Sequence, residues 1–531
     1  MKKIITTILA IIATNTAIIA QTTNNWTNAG SATWSTASAW SLGVPTSTQD
    51  AYHTNVTTGS VAINVTTSAQ AKSLTIGGSG GTASLVTFAN QSLIVGGDIT
   101  LASGAGAGEF RLSGANSTVV LNAGNGSILN GGGTGLATMN VQGGFSNSVG
   151  LLNASVDDLN MGQTGNGTLI ITNGQTYNVA NLLRLNNSTA SNNATILMNG
   201  GTLNHSGTEI RFNSGTGAGN TAYLILNSNA LVTAKVISRL NLGTDAAIHW
   251  NDGTIANYAG SNLMISAAAG TMNVKLAGTG THTFNASDTN TITVASTASL
   301  QDKTGEAGTV VKTGSGTLIF AGSNTYSGST TVRGGTLLVN GSLLSTNTIV
   351  SSGGILGGSG SLQAVTLQGG SLAPGNSPGL LHMTSLNASY GNLSFELGAP
   401  TSRGVTYDAI NAQNLLELGS NTTWTFTVHN NYAFQLNDTY DLMDWGSVDT
   451  TGFDVSVLQA ALPDLNTAST ALAWDISEFS LNGTVSIIPE PTALDLLSLP
   501  LQIARNMLGI ISRNSLTCGL VNRNFNVPFY L

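Results

Sequence analysis

The chain has 531 residues, only 8% of them charged, and a formal net charge of −8. A surface that binds nucleic acid or anionic membranes needs a basic patch, so this composition argues against nucleic acid as a partner. The single cysteine, Cys518, excludes an intrachain disulfide, and the fold must be stabilised by packing and backbone pairing.

The first 20 residues are typical of a secretory signal peptide. Met1-Lys2-Lys3 is a positive n-region, and the apolar stretch that follows is rich in small residues up to Ala20. We expect cleavage between Ala20 and Gln21, and therefore export. An uncleaved membrane anchor is the alternative, although the stretch is short for a permanent span and contains Thr and Asn.

Residues 21–55 hold Trp26, Trp34 and Trp40, three of the seven tryptophans in the chain. One interpretation is an N-terminal cap, because the end of a repetitive fold needs a lid over its apolar core. The other is an aromatic platform for glycans, because flat ring faces stack on the C–H faces of sugars. Both interpretations remain open at this point.

From residue 56 to residue 385 the sequence consists of short β-branched runs separated by Gly, Asn and Ser, and no helical stripe persists. A unit of glycine, a small or apolar residue and Leu opens at Gly316, Gly335, Gly354 and Gly370, with spacings of 19, 19 and 16 residues. A period near 20 predicts an all-β fold, a right-handed parallel β-helix or β-solenoid with one rung per repeat. Weaker units open at Gly167, Gly201 and Gly253. A β-propeller is the second choice, but its longer repeat of about 40 to 50 residues is absent.

Residues 310–345 carry a family resemblance. The order of residues in Val311–Leu318, followed by Gly322-Ser323-Asn324-Thr325-Tyr326-Ser327-Gly328 and Gly334–Gly341, resembles the autotransporter-associated β-strand repeat. The resemblance implies a parallel β-helix on an exported, surface-associated protein of a Gram-negative-type bacterium. It implies no catalytic activity.

Residues 386–486 contain more aromatic and acidic residues, and we expect them to form a C-terminal β cap or small sandwich with one short helix over 455–462. Pro489-Glu490-Pro491 then resembles the start of a PEP-CTERM sorting signal, which implies recognition by export and sorting machinery. Asp495 and Arg505 interrupt the hydrophobic run that such a signal needs. The terminal arginine cluster is also missing, so we interpret 487–531 as a degenerate signal, with a chance interdomain turn as the alternative.

The sequence predicts no catalytic residue, no cofactor and no metal site. The six histidines have no metal-ligand spacing, and Gly375–Gly379, which has the letters of a nucleophile elbow, lacks the helix that an elbow requires. The charged residues considered for catalysis are Asp157 with Asp158, Glu209 with Arg211, Asp245 near His249, and Asp302 and Lys303 with Glu306. Solvated loop carboxylates explain them more simply.

We therefore expect an exported, non-catalytic β-solenoid that is structural or adhesive at the cell surface or in the extracellular matrix. Exopolysaccharide or another surface glycan is the expected partner, and an open β edge permits self-association. The alternatives are a carbohydrate-active enzyme, either a polysaccharide lyase or a hydrolase, and a glycan-binding module on the same fold. A cluster of carboxylates in one groove would favour the enzyme.

Overall fold

The computed structural model describes residues 23–490, apart from residues 78–80, 88–90, 96–98, 102–107, 113–117, 122–127, 132–136, 142–152, 162–166, 187–192, 214–218, 243–244 and 466–470. Between residues 96 and 170, most of the described positions are described by their backbone alone. The signal peptide expected at 1–20 and the tail after residue 490 lie outside the described residues. The described chain forms the predicted β-solenoid, because its short strands recur as rungs and pair in parallel with the rungs on either side.

Each rung contributes strands to three parallel ladders, which form three faces around one core. The strand Thr221–Asn227 shows how a rung is built, since its buried residues alternate with half-exposed ones. Ala222, Leu224 and Leu226 are fully buried, because alternate side chains of a strand point to opposite faces. Stacking such strands closes a continuous apolar interior and satisfies the backbone groups between rungs.

The first ladder continues from Thr23 to Asp449. Its strands are Thr23–Asn25, Asp50–His53, Ser73–Ile76, Ile99–Leu101, Ile128–Gly131, Asn153–Met161, Thr176–Leu185, Thr202–His205, Leu231–Ala234, Gly253–Asn257, His282–Asn285, Val310–Thr313, Thr330–Val332, Ser342–Ser351, Ser361–Gln368, Leu380–Asn387, Ala409–Glu417 and Met443–Asp449.

The second ladder shares the long strands Asn153–Met161 and Thr176–Leu185 with the first. Its other strands are Ala32–Thr33, Ser60–Val65, Thr82–Thr87, Gly108–Leu112, Ala137–Val141, Glu209–Phe212, Val236–Arg239, Leu263–Ala267, Thr291–Val294, Thr317–Phe320, Gly335–Val339, Gly354–Gly358, Ser371–Pro374, Tyr390–Leu397 and Asn421–Val428.

The third ladder is described in two paired runs, from Ala69–Ala71 to Thr118–Leu121 and from Gly167–Thr172 to Ala298–Asp302. From Ser342 onward it uses the first halves of the long strands of the first ladder. Its own strands are Ala69–Ala71, Ser92–Val95, Thr118–Leu121, Gly167–Thr172, Asn193–Asn199, Thr221–Asn227, Asp245–Trp250, Met272–Leu276, Ala298–Asp302 and Ser323–Asn324. The short β-branched runs that the sequence shows between residues 56 and 385 therefore form strands on all three ladders of the described chain.

The repeat at 316–372 is confirmed as a stack of rungs on the second ladder. Leu318 pairs with Leu337, Leu337 with Leu356, and Leu356 with Leu372, and all four are fully buried. The weaker units do not continue this column. Gly201 directly precedes a strand of the first ladder, Gly253 begins another strand of that ladder, and Gly167 begins a strand of the third ladder. The same glycine-apolar pattern can therefore occur on any face of the solenoid.

The ladders do not end at residue 385, where we expected the solenoid to give way to a cap. Parallel pairing continues through Tyr390–Leu397 to Asn421–Val428, and through Ala409–Glu417 to Met443–Asp449. The change in composition reflects aromatic side chains in the last rungs, such as Phe395 and Trp424, whose rings stack 6.0 Å apart. They cover the end of the core without changing its topology.

A small antiparallel sheet follows the last rungs. It consists of Thr439–Asp441, Thr484–Pro489 and Leu472–Asp475, with Thr484–Pro489 in the middle. Two α-helices, α1 (Val455–Ala461) and α2 (Phe479–Asn482), and two 3₁₀ turns at Ala37–Ala39 and His429–Asn431 complete the described elements. The first helix agrees with the one expected over 455–462. Asp454 caps it by accepting a 2.9 Å hydrogen bond from the Ser456 amide.

Candidate functional site

The three N-terminal tryptophans form a closed cluster. Trp26, Trp34 and Trp40 are only 1%, 1% and 3% exposed. Trp40 packs edge-to-face against the other two at 5.1 and 5.0 Å, and its Nε1 donates to the Trp34 carbonyl oxygen at 2.9 Å. A sugar platform needs an open ring face, and these rings have none, so the geometry agrees with a cap over the first rung.

The export signals are only partly within the described residues. Ala20, Gln21 and Pro491 lie outside them. Pro489 ends the central strand of the antiparallel sheet, and the Glu490 amide donates to the Ala471 carbonyl oxygen at 2.9 Å. The first two residues of the Pro-Glu-Pro motif therefore lie at the end of the last described strand.

The repeat at 310–345 encloses a buried ammonium group. Lys312 is fully buried, and its Nζ donates hydrogen bonds of 2.8, 2.9 and 3.0 Å to the carbonyl oxygens of Thr313, Gly314 and Gly334. Burial lowers the pKa of Lys312 to about 8. The lysine links two successive rungs at one corner of the solenoid. Lys312 therefore has a structural role in the repeat.

The same repeat contains a buried chain of hydroxyl groups. The Tyr326 hydroxyl lies 2.6 Å from that of Thr330, which donates to the Ser345 hydroxyl at 2.9 Å. Asn324 is also buried, and its Oδ1 accepts a 3.1 Å hydrogen bond from the Leu300 amide. Because buried polar groups are costly unless paired, these bonds specify the register between rungs.

An open groove of about 440 Å³ lies on the outer face of the second ladder. Its floor is apolar and consists of Leu338, Ile355, Ala373 and Pro374. A Cβ atom at Gly357 would lie 2.5 Å from the Ala373 carbonyl oxygen. The absence of a side chain at this glycine therefore leaves space in the groove. Polar residues line the rest of the groove: Thr336, Asn376, Ser377, Ser394, Glu396, Asp408 and Thr427.

Glu396 is the charged centre of this groove. Its Oε2 accepts a 2.6 Å hydrogen bond from the Ser377 hydroxyl and lies 3.7 Å from Nδ1 of His429. Ser377 is the central residue of the Gly375–Gly379 motif, and its hydroxyl donates to a carboxylate instead of to a histidine. A serine nucleophile needs a base on its hydroxyl with an orienting partner behind it, and this arrangement instead anchors the turn.

Asp408 lies beneath the groove and is almost fully buried. Its two carboxylate oxygens accept 2.7 Å hydrogen bonds from the amides of Gly379 and Glu396. Burial raises the pKa of Asp408 to about 7, and the charge of Glu396 acts in the same direction. The sequence analysis missed this pair of carboxylates. A chain reversal with an antiparallel bridge between Leu397 and Tyr407 brings them together, and no local sequence pattern indicates it.

A second cluster lies on the outer face of the third ladder and contains Tyr223, Asp245, His249 and Lys275; we call it the Tyr223 cluster. The Tyr223 hydroxyl donates to Asp245 Oδ2 at 2.9 Å, and Lys275 Nζ lies 3.9 Å from the same oxygen. The rings of Tyr223 and His249 pack edge-to-face at 4.9 Å. The sequence analysis identified Asp245 near His249. It missed Tyr223, which lies one rung before their strand, and Lys275, which lies one rung after it.

The remaining charged candidates do not form a shared site. Arg211 bonds Glu209 at 2.6 Å, and Asp302 accepts bonds from the amides of Ser327 and Gly308 at 3.0 and 2.8 Å. The side chains of Asp157 and Asp158 lie outside the described residues. Among the described residues there is no group of three or more His, Cys, Asp or Glu side chains that could hold a metal ion.

No helix in the described part of the chain is long and apolar enough to cross a membrane.

Comparison with protein families gives one match. Residues 310–339 match the family model described as the passenger-associated transport repeat. This repeat is typical of autotransporter passenger-type proteins, which Gram-negative bacteria secrete or carry on the cell surface. The search of curated proteins found no match to the chain.

Proposed function

We propose that this protein is an exported β-solenoid that acts as a structural or adhesive element at the cell surface or in the extracellular matrix. The observation that carries the proposal is the passenger-type repeat at 310–339. It coincides with stacked rungs of the solenoid, where Leu318, Leu337 and Leu356 share one buried column. The repeat therefore serves here as a structural unit of a long, rigid body.

The outer surface supports an adhesive role. Asn227 donates to Asn199 at 2.9 Å, and Asn251 donates to Asn227 at 2.7 Å, which forms an amide ladder across three rungs. A similar column joins Asn178, Asn204 and Thr233 at 3.0 Å per step. Amide and hydroxyl groups keep spare donors and acceptors after such pairing, so these faces offer hydrogen bonds to sugars without net charge.

We further propose that Pro489-Glu490-Pro491 is the remnant of a sorting signal. The motif begins where the last described strand ends, which would leave it accessible to a sorting protease once the body has folded. The degenerate run after it points to a reading-frame change in the coding DNA. Translation of the other two frames over this stretch tests this idea, since it requires a hydrophobic span followed by terminal arginines in one of them.

The test of the main proposal is protease and antibody accessibility on intact cells that express the native gene. We expect the protein to be digested and labelled from outside, while a periplasmic control protein stays protected. If the protein is protected together with the control until the outer membrane is opened, the surface function is wrong.

A second candidate function is carbohydrate processing in the groove, because Glu396 and Asp408 lie within one cavity. The raised pKa of Asp408, about 7, would suit a general acid beside an ionised carboxylate. The two amide bonds to Asp408 are equally consistent with a structural anchor. The test is release of reducing sugar from a panel of polysaccharides by wild type, E396Q and D408N. Turnover by the wild type that both variants lose supports the enzyme. Lack of turnover by the wild type eliminates it.

A further inference from the structure

The Tyr223 cluster stands out from the surface around it. The neighbouring outward positions are mostly neutral amides and hydroxyls, such as Asn273, which accepts a 2.9 Å hydrogen bond from Gln301. Titratable and aromatic side chains converge where Tyr223, Ala247 and Asn273 are aligned on successive rungs. Ala247 is fully buried although it lies on the outward side of its strand, so the larger side chains close over it.

Register explains how the cluster assembles. His249 is paired with Ile225 on one side and Lys275 on the other, and Asp245 is paired with Thr221. Tyr223 and Lys275 therefore approach the Asp245 carboxylate from opposite neighbouring rungs. The result is a half-exposed phenol ring, an imidazole and an ammonium group within one small patch, with Asp245 accepting the hydrogen bond of the phenol hydroxyl.

Lys275 has unused hydrogen-bonding capacity. Its Nζ makes no hydrogen bond within the described part of the chain, and its one ion pair, to Asp245, is 3.9 Å long. Direct ammonium–carboxylate hydrogen bonds are shorter, about 2.7 to 2.9 Å, and an ammonium group has three donors. Lys303, which follows the strand of the next rung, is held more closely: it pairs with Glu306 at 3.6 Å and donates to Asn251 Oδ1 at 3.4 Å.

Lys275 is the cation that acts most strongly on this patch. After burial, its charge is the largest influence that lowers the pKa of His249; Asp245 opposes it, and Lys303 adds a smaller effect in the same direction as Lys275. Charges beyond about 8 Å are largely screened at physiological ionic strength. An anionic ligand at this patch therefore interacts mainly with Lys275 and competes with the Asp245 carboxylate, which lies 3.9 Å from it.

We propose that the Tyr223 cluster binds an acidic polysaccharide, with a uronate carboxylate on Lys275 and the sugar ring against Tyr223. The inference rests on the proposed surface function, since it names the ligand class that such a solenoid would hold. Rungs repeat every 4.8 Å or so, close to the length of one pyranose unit. The next sugar unit of the same chain would thus meet Gln301, which is in register with Lys275.

Binding of polygalacturonate to the purified full-length secreted chain tests this proposal. The matched ligand is the same polymer after reduction of its carboxyl groups, which keeps the sugar backbone and removes the charge. We expect wild-type protein to bind the acidic polymer at least about tenfold more tightly than the reduced one, because charge-assisted hydrogen bonds are the stronger kind. Equal affinity for both polymers, or no binding of either, overturns the proposal.

The decisive variant is Lys275→Gln, and Lys72→Gln is its control. Lys72 is also a surface lysine with one ion pair, to Asp50 at 3.2 Å, and its loss changes the net charge equally. We expect K275Q to lose about tenfold or more in affinity, K275R to restore most of it, and K72Q to bind like wild type. Equal binding by K275Q and K72Q contradicts the proposal, and unchanged thermal unfolding of K275Q shows that the fold is intact.

These outcomes are distinct from those of the cell-surface experiment. A protein that is exposed on cells but does not prefer the acidic polymer eliminates the uronate site and leaves the surface function standing. A protein that prefers the acidic polymer but is protected in the periplasm eliminates the surface function and leaves the site standing.

Discussion

Nζ of Lys312 donates a 3.0 Å hydrogen bond to the carbonyl oxygen of Gly334, which lies one rung further along the solenoid. Two more carbonyl oxygens, those of Thr313 and Gly314, complete the cage. Within the matched repeat, a buried lysine therefore replaces the apolar side chains that occupy the equivalent column above and below it, Phe284 and Val332.

Replacing Lys312 by Met should destabilise the protein. The substitution keeps the length of the side chain but removes the ammonium donor of three hydrogen bonds to carbonyl oxygens, at a cost of about 2 to 4 kcal/mol. Thermal and chemical unfolding measure the effect. K72M, at a lysine whose side chain is 53% exposed, serves as the control and should change stability by no more than about 0.5 kcal/mol. Equal effects of both variants would contradict the role assigned to Lys312.

Stability should rise with pH in the weakly alkaline range because of the same lysine. The pKa of Lys312 is about 8 in the folded protein, against 10.5 for an unperturbed lysine. Between these values the unfolded state binds more protons, so the free energy of unfolding increases with pH. The unfolding midpoint of wild type, measured from pH 7.5 to pH 9.5, should rise relative to that of K312M. Parallel curves for the two proteins would exclude Lys312 as the source.

Gly335→Ala should be poorly tolerated. Gly335 has a φ of +62°, and a Cβ atom there would lie 2.3 Å from the Gly316 carbonyl oxygen and 2.5 Å from that of Gly314. The contact is with backbone of the previous rung, which cannot move without breaking the ladder, so we expect a loss of about 2 kcal/mol or more.

Gly30→Ala is the matched control for that substitution, because Gly30 has ordinary φ and no atom within 4 Å of the added Cβ. Limited proteolysis and thermal unfolding should show a destabilised G335A and an unchanged G30A. If G335A unfolds at the wild-type temperature, the close stacking of these rungs is wrong.

Trp40→Ala should lower stability without changing glycan binding. Trp40 is buried between Trp26 and Trp34, and removing a buried aromatic side chain typically costs about 3 to 5 kcal/mol. Thermal unfolding measures the loss, and binding of polygalacturonate below the unfolding temperature measures the ligand effect. Loss of sugar binding with full stability would instead support the aromatic platform.

The solenoid and the repeat were predictable from the sequence for a physical reason. Strand alternation and glycine spacing are local properties, and stacking turns a local period into a contact, as between Leu318 and Leu337. The end of the ladder was not predictable, because the aromatic residues near Phe395 and Trp424 change the composition without changing the pairing. A shift in residue types does not by itself mark the last rung.

The sequence by itself determined the class of fold, the position of the repeat and the absence of an intrachain disulfide, since each follows from short-range pattern or composition. Only the tertiary structure decided which side chains meet. It buried Trp26 and Trp34, enclosed Lys312, and brought Tyr223 against Asp245 from 22 residues away. Contacts across rungs depend on register, and register is set by the lengths of the connections between strands, which residue types do not reveal.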